Sequence, residues 1–291
     1  NFSVQPTLLQ DGRIVYQPTL FALRKDAVQS SVTLKNSSGK AKIYRLDWTE
    51  SQPLDVDLGT LDYRLIQEDG LTYVSLRSFV SGTYDNMLAR YAREGAKARG
   101  SKAVIYDLRG NVGGSDSWPR KWIQSFLGTQ NSIETSMLYA QKNSALFAAE
   151  NSESLLPEDE GTCFAREVHG TWYENDIPII VLVDDHCGSS GEGAVQLLKT
   201  LDNVLIVGSN TAGYQLCGNI STFTLPYTGI GVRFGSTLFL YGDGENVDRR
   251  GYAPDVWCDP QDALASVLAL LKEQGVVSAD ACETVREKIA K

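Results

Sequence analysis

The chain has 291 residues, a formal net charge of −9 and a pI of about 4.9. That length can bury a full core, and 42% hydrophobic with 22% charged residues is the composition of a folded globular protein. The acidic balance argues against a nucleic-acid partner, whose phosphates need a basic surface, and no apolar run approaches the roughly 20 residues that span a bilayer.

In chain order, residues 1–60 are β-rich. "GRIVYQ" and "SSVTLKNSSGKAKIYRLDW" alternate in the strand manner, with Asn36-Ser37-Ser38-Gly39 as the hairpin turn. From residue 61 the rhythm becomes strand then helix. "LTYVSLRSF" reads as a strand and "TYDNMLARYAREGAKARG" as a helix capped by Thr83 and stopped by Gly100. "KAVIYDL" is a buried strand, and "SWPRKWIQSFLG" a helix with Trp118, Trp122, Ile123 and Phe126 at helical spacing. Residues 131–175 are polar and acidic and read as an irregular insertion or lid. "IPIIVLVDD" is the next strand, followed by a helix whose stripe is Ala194, Leu197, Leu198 and Leu201. "NVLIVG" is a strand, residues 221–244 a hairpin, and "PQDALASVLALLKEQG" a helix. This alternation predicts an α/β core, residues 61–291, with helices against a parallel-type sheet.

Five cysteines without a C-x-x-C pair, and only two histidines, argue against a structural zinc site. No structural zinc is therefore expected, and the serine chemistry read below implies no metal and no cofactor.

Two glycine-flanked turns follow strands. In "DLRGNVGG" (107–114), Gly110, Gly113 and Gly114 leave main-chain N–H groups open to a substrate carbonyl, as an oxyanion hole requires. The plain alternative is a tight strand-to-helix turn. In "HCGSSGEGAVQLLK" (186–199), Ser189 and Glu192 fit a capping box. The same geometry also suits a nucleophile exposed at a helix N-terminus, with the Ser190 N–H beside it.

Four motifs stand in order: "DLRGNVGG" at 107, "SSGE" at 189, "VGSNTAG" at 207 and "GYAPD" at 251. In this the chain resembles the C-terminal processing (tail-specific) and tricorn-core serine peptidases over residues 62–271. The resemblance implies a crotonase/ClpP-like α/β core. It also implies Ser189 as nucleophile and an oxyanion hole from Gly113 or Gly114 with Ser190. Residues 1–60 become a candidate remnant of a PDZ-like module, and the location secreted or extracytoplasmic. The expected partner is a protein or peptide substrate.

A serine hydroxyl needs a base. In the tail-specific branch this is a lysine after the T-x-G turn, but Tyr214-Gln215 stands there, and no lysine occurs between Lys199 and Lys272. The tricorn-like branch uses a histidine upstream of the core, oriented by an acid whose place here is Asp248, with Glu245 second. His169 and His186 both lie downstream of "DLRGNVGG". The reading is thus a serine endopeptidase whose histidine lies upstream of residue 1 or on a companion segment or chain, which would leave this fragment inactive alone; His186 or His169 as the base, and a degenerate, inactive member, are the lesser accounts. Two rivals use the same core: a non-catalytic ligand- or protein-binding module, and an acyl-CoA enzyme of the crotonase type.

Overall fold

The computed structural model describes residues 2–8, 13–20, 31–36, 38–47, 62–142, 161–242 and 247–290. The N-terminal part holds two antiparallel hairpins, each a two-stranded sheet: β1 (Phe2–Leu8) with β2 (Ile14–Leu20), and β3 (Ser31–Lys35) with β4 (Ala41–Arg45). The turn between β3 and β4 is organised by Asn36, whose Oδ1 accepts from the N–H groups of Ser38 and Lys40.

The core is a mixed α/β fold around a six-stranded sheet. Its strands are β5 (Tyr63–Glu68), β6 (Leu71–Leu76), β7 (Ala103–Asp107), β10 (Ile179–Val183), β11 (Val204–Gly208) and β14 (Val256–Trp257), in the spatial order β14-β11-β10-β7-β6-β5. All neighbours run parallel except β5, which pairs antiparallel with β6. A sheet covered on both faces explains why "AVIYD" and "IIVLV" are buried at every position. Alternate residues feed different cores. Val74, Leu76, Val104, Tyr106, Ile179 and Val181 pack on one face with α1 (Asp85–Ala98), α2 (Ser117–Leu127) and α3 (Ser190–Leu198). Leu71, Tyr73, Ile105, Ile180 and Leu182 pack on the other with α4 (Pro260–Glu273) and α5 (Ala279–Ala290).

The structure corrects the reading of residues 131–175 as irregular. Within them, β8 (Met137–Lys142) and β9 (Cys163–Val168) pair antiparallel. They join β12 (Cys217–Thr224) and β13 (Gly231–Tyr241) in a second sheet of order β12-β13-β8-β9. Polar residues on these half-exposed strands hide the alternation that would have revealed them. Two smaller differences concern helices. The N-cap of α1 is Tyr84 rather than Thr83, and α5 follows α4 where the sequence suggested no element. Among the described residues, no helix is long and apolar enough to cross a membrane.

Candidate active site

The two glycine turns meet at the carboxyl ends of β7 and β10, where the strands' parallel register places them side by side. The Gly188 N–H donates to the Asn111 carbonyl at 2.9 Å, and the Gly110 N–H to Asp184 Oδ1 at 2.8 Å. Gly113 lies directly against the serine elbow. A Cβ placed on it would stand 2.7 Å from Ser189 Cβ and 2.8 Å from the Ser190 nitrogen, and its φ is +95°. Only glycine meets both demands. Gly114 is pressed as closely onto the Phe79 backbone, and Ser190 Oγ donates to its carbonyl at 2.9 Å.

Ser189 is exposed at the start of α3 with φ 54° and ψ −122°. A non-glycine residue in this region costs about 1–3 kcal/mol unless its surroundings impose it. Here the imposition comes from Glu192, which is fully buried. Its carboxylate accepts from the N–H groups of Ser189 (3.0 Å), Gly213 (2.8 Å) and Tyr214 (2.8 Å), and from the Thr211 hydroxyl (2.6 Å). Burial pushes this carboxyl above the usual range, opposed by those four hydrogen bonds, which favour the ionised form. Glu192 is therefore more than the cap that S-x-x-E suggested. It fastens the serine elbow to the T-x-G turn, a role that the motif spacing alone does not reveal.

The remaining motif closes the set. The Thr211 N–H donates to the Tyr252 carbonyl at 3.1 Å, and the Tyr252 N–H returns to Thr211 Oγ1 at 2.7 Å. Asp255 Oδ2 accepts from Ile206 N–H at 2.8 Å. All four sequence motifs thus form one hydrogen-bonded assembly.

Of the expected oxyanion donors, the structure narrows the choice. The Gly113 N–H is already given to Asn111 Oδ1 at 2.9 Å. The N–H groups of Gly114 and Ser190 have no hydrogen-bond partner among the described residues. Both residues line, with Ser189, a cavity of about 820 Å³ whose other walls come from the start of α2 and from the second sheet, the latter including Tyr139, Arg166, Phe239 and Tyr241.

Neither histidine lines that cavity. His186 Nδ1 is 2.9 Å from Asp185 Oδ1, and His169 Nδ1 is 3.9 Å from Glu167 Oε1 on the surface. Asp248 is also not among the lining residues. Its carboxylate is exposed, 3.9 Å from Arg249 Nε. Its backbone nevertheless neighbours the site, because the Arg249 N–H donates to the Gly213 carbonyl at 2.9 Å. Glu245 lies outside the described residues. Cys187 is no rival nucleophile, since it is fully buried and burial pushes its thiol well up. Asp184, Asp185 and His186 lie close enough together to share a cation. Asp184 Oδ1, however, is already committed to three backbone N–H groups.

The model of peptidase family S41 matches residues 70–257, which include all four motifs. The chain belongs to peptidase family S41. It is 24% identical over 202 residues to the carboxy-terminal processing protease CtpA of Bacillus subtilis (strain 168), covering 69% of this chain and 37% of CtpA. It thus spans well under half the length of that relative. Among solved structures, a candidate peptidase from Parabacteroides merdae ATCC 43184 shares 22% identity at a TM-score of 0.48, covering 77% of this chain and 71% of its own. The photosystem II D1 C-terminal processing protease shares 17% at 0.44, covering 77% and 53%.

Proposed function

We propose that this S41 chain carries the nucleophile and oxyanion hole of a serine endopeptidase. The observation that supports this best is the exposed, strained Ser189 elbow pressed against Gly113, with two unpaired N–H groups beside it on one cavity. Ser189 Oγ attacks the scissile carbonyl carbon while its proton passes to a base. The carbonyl oxygen, now negative, accepts from the Gly114 and Ser190 N–H groups. Collapse breaks the C–N bond, the amine leaves with the proton, and water then releases the acyl group from Ser189.

The base in this proposal is a histidine on a segment outside this sequence. Asp248 keeps the role of orienting it, because an orienting acid need not touch the substrate and its backbone is fastened to the turn that Glu192 holds. The reading of residues 1–60 as a PDZ-like remnant and an extracytoplasmic location belong to the same proposal, on resemblance alone. The absence of a histidine or lysine among the residues lining the cavity favours one competitor, a binding module with an unused serine.

Labelling by a fluorophosphonate separates the two. The isolated chain should label slowly, free imidazole should accelerate labelling as a surrogate base, and Ser189→Ala should abolish it. No labelling at any imidazole concentration would favour the binding module. Fast labelling without imidazole, lost in His186→Ala or His169→Ala, would show that the base is within this chain.

A further inference from the structure

The cavity has a charge pattern that the proposed chemistry does not use. It contains two arginines, Arg120 and Arg166, and two acids, Asp116 and Glu134. Arg120 is paired in charge: its Nη1 lies 2.7 Å from Glu134 Oε2, although the angle does not make a hydrogen bond. Glu134 is held further by the Ser132 hydroxyl at 2.5 Å. Burial would raise the Glu134 carboxyl, but Ser132, Arg120 and the more distant Arg166 win and hold it below the usual range. Asp116 is the opposite case. Its Oδ1 is buried without a hydrogen-bond partner, and burial pushes its carboxyl up, against the pull of Ser190 and Arg120. Among the described residues, the Arg166 side chain has neither a hydrogen bond nor an ion pair.

The placement of Arg166 follows from strand register. Arg166 pairs with Tyr139 and Val168 with Met137, and all four residues line the cavity. On the next strand Phe239 pairs with Tyr139 and Tyr241 with Met137, and both line the cavity as well. Residues one step out of phase, Leu138, Leu238 and Leu240, are exposed and do not line it. Arg166 therefore stands on the cavity face of the second sheet among aromatic rings, with Tyr139 and Phe239 in edge contact at 5.4 Å. Among the described residues lining the cavity, it is the cation without a carboxylate within ion-pair distance, in a chain whose net charge is −9. Arg166 is exposed where it lines the cavity, so an incoming ligand can reach it, and the planar fork of an arginine without a carboxylate partner suits a carboxylate.

We propose that Arg166 is a specificity-determining residue that receives a carboxylate of the peptide substrate, flanked by a side chain that packs on Tyr139 and Phe239. This deepens the peptidase reading and rests on it for the identity of the ligand as a peptide. A carboxylate can come from an acidic side chain or from a chain terminus, and the experiment separates these sources.

The full chain carrying Ser189→Ala is titrated with fluorescent peptides and followed by anisotropy. One set has a single Glu walked through a Gln-containing, C-terminally amidated sequence. A second set compares the free terminus with the amide in the all-Gln sequence. The expected result is that at least one carboxylate peptide binds about tenfold tighter than its neutral twin, a difference of about 1.4 kcal/mol. That preference should shrink with added salt and vanish in Arg166→Gln, while affinity for the neutral twin is unchanged. Arg166→Lys should retain part of it. Preference for a Glu peptide identifies a side-chain subsite, and preference for the free terminus identifies a terminal one. Equal binding of charged and neutral peptides, a preference that survives in Arg166→Gln, or no saturable binding of any peptide would each overturn the inference. Fluorophosphonate labelling of Ser189 in the otherwise unaltered protein reports separately on the peptidase reading, so either can fail without the other.

Discussion

At the scale of single residues, Glu192 has the most to explain. One carboxylate accepts four hydrogen bonds from two separate turns. Glu192→Gln keeps the shape but replaces one acceptor oxygen with an NH2 group, which then faces N–H donors. Leaving a buried donor unpaired costs about 1–3 kcal/mol. The variant should melt earlier in a calorimetric scan, and labelling of Ser189 should fall because the elbow loses its tether. Ser189→Ala should by contrast leave the melting temperature within a few degrees of the parent, since it removes one exposed hydroxyl. Gly113→Ala should be worse than either in soluble yield and labelling. Its methyl would meet Ser189 Cβ at 2.7 Å, in a backbone conformation that alanine disfavours.

At the scale of elements, the end of β7 is joined to the start of α4 by an ion pair. Asp107 is fully buried and accepts from Arg109 Nε (2.9 Å) and Nη2 (2.6 Å) and from the Tyr73 hydroxyl (2.8 Å). Arg109 Nη1 continues to the Pro260 carbonyl at 2.6 Å, the first residue of α4. Burial alone would raise the Asp107 carboxyl, but Arg109, Arg77 and Tyr73 outweigh it and hold the group below the usual range. A carboxyl lowered in the folded state contributes stability that is complete above its unfolded value of about 3.9 and is lost as pH falls through the folded value. Urea midpoints measured from pH 7 downward should therefore drop below about pH 4. In Asp107→Asn the whole curve should lie lower, because Arg109 loses its partner, and this component of the acid slope should disappear.

At the scale of the whole molecule, the two sheets divide the work. The parallel sheet and its helices carry the stability and aim both glycine turns at one point. The second sheet closes the cavity and supplies Arg166, while Asp116 and Arg120 come from the start of α2. Trp122 tests this division. It is fully buried between the sheet and its helices, 4.8 Å from Tyr106 edge-on and stacked on Phe126 at 5.5 Å. Trp122→Ala should cost about 3–5 kcal/mol in denaturant unfolding. Because Trp122 does not line the cavity, the labelling rate of Ser189 per folded molecule should stay close to the parent.

Much of this protein was legible as a string. Apolar runs such as "IIVLV" announce a doubly covered sheet because burial on both faces leaves no polar alternation, and "DLRGNVGG" and "SSGE" announce their turns because backbone geometry demands those residue types. Other features depend on groups distant in sequence. Glu192 reads locally as a cap, and only the fold brings Thr211 and Gly213 to its other oxygen. Gly113 and Gly114 are equivalent glycines in the sequence. Which N–H remains free was decided by Asn111, whose side chain turns back onto Gly113. Arg166 is one charged residue in an acidic stretch, and only through the register of β8 and β9 does it become, among the described lining residues, the cation without a carboxylate within ion-pair distance. Local chemistry is written in neighbouring residues, whereas hydrogen-bond satisfaction and charge balance are properties of a closed three-dimensional neighbourhood.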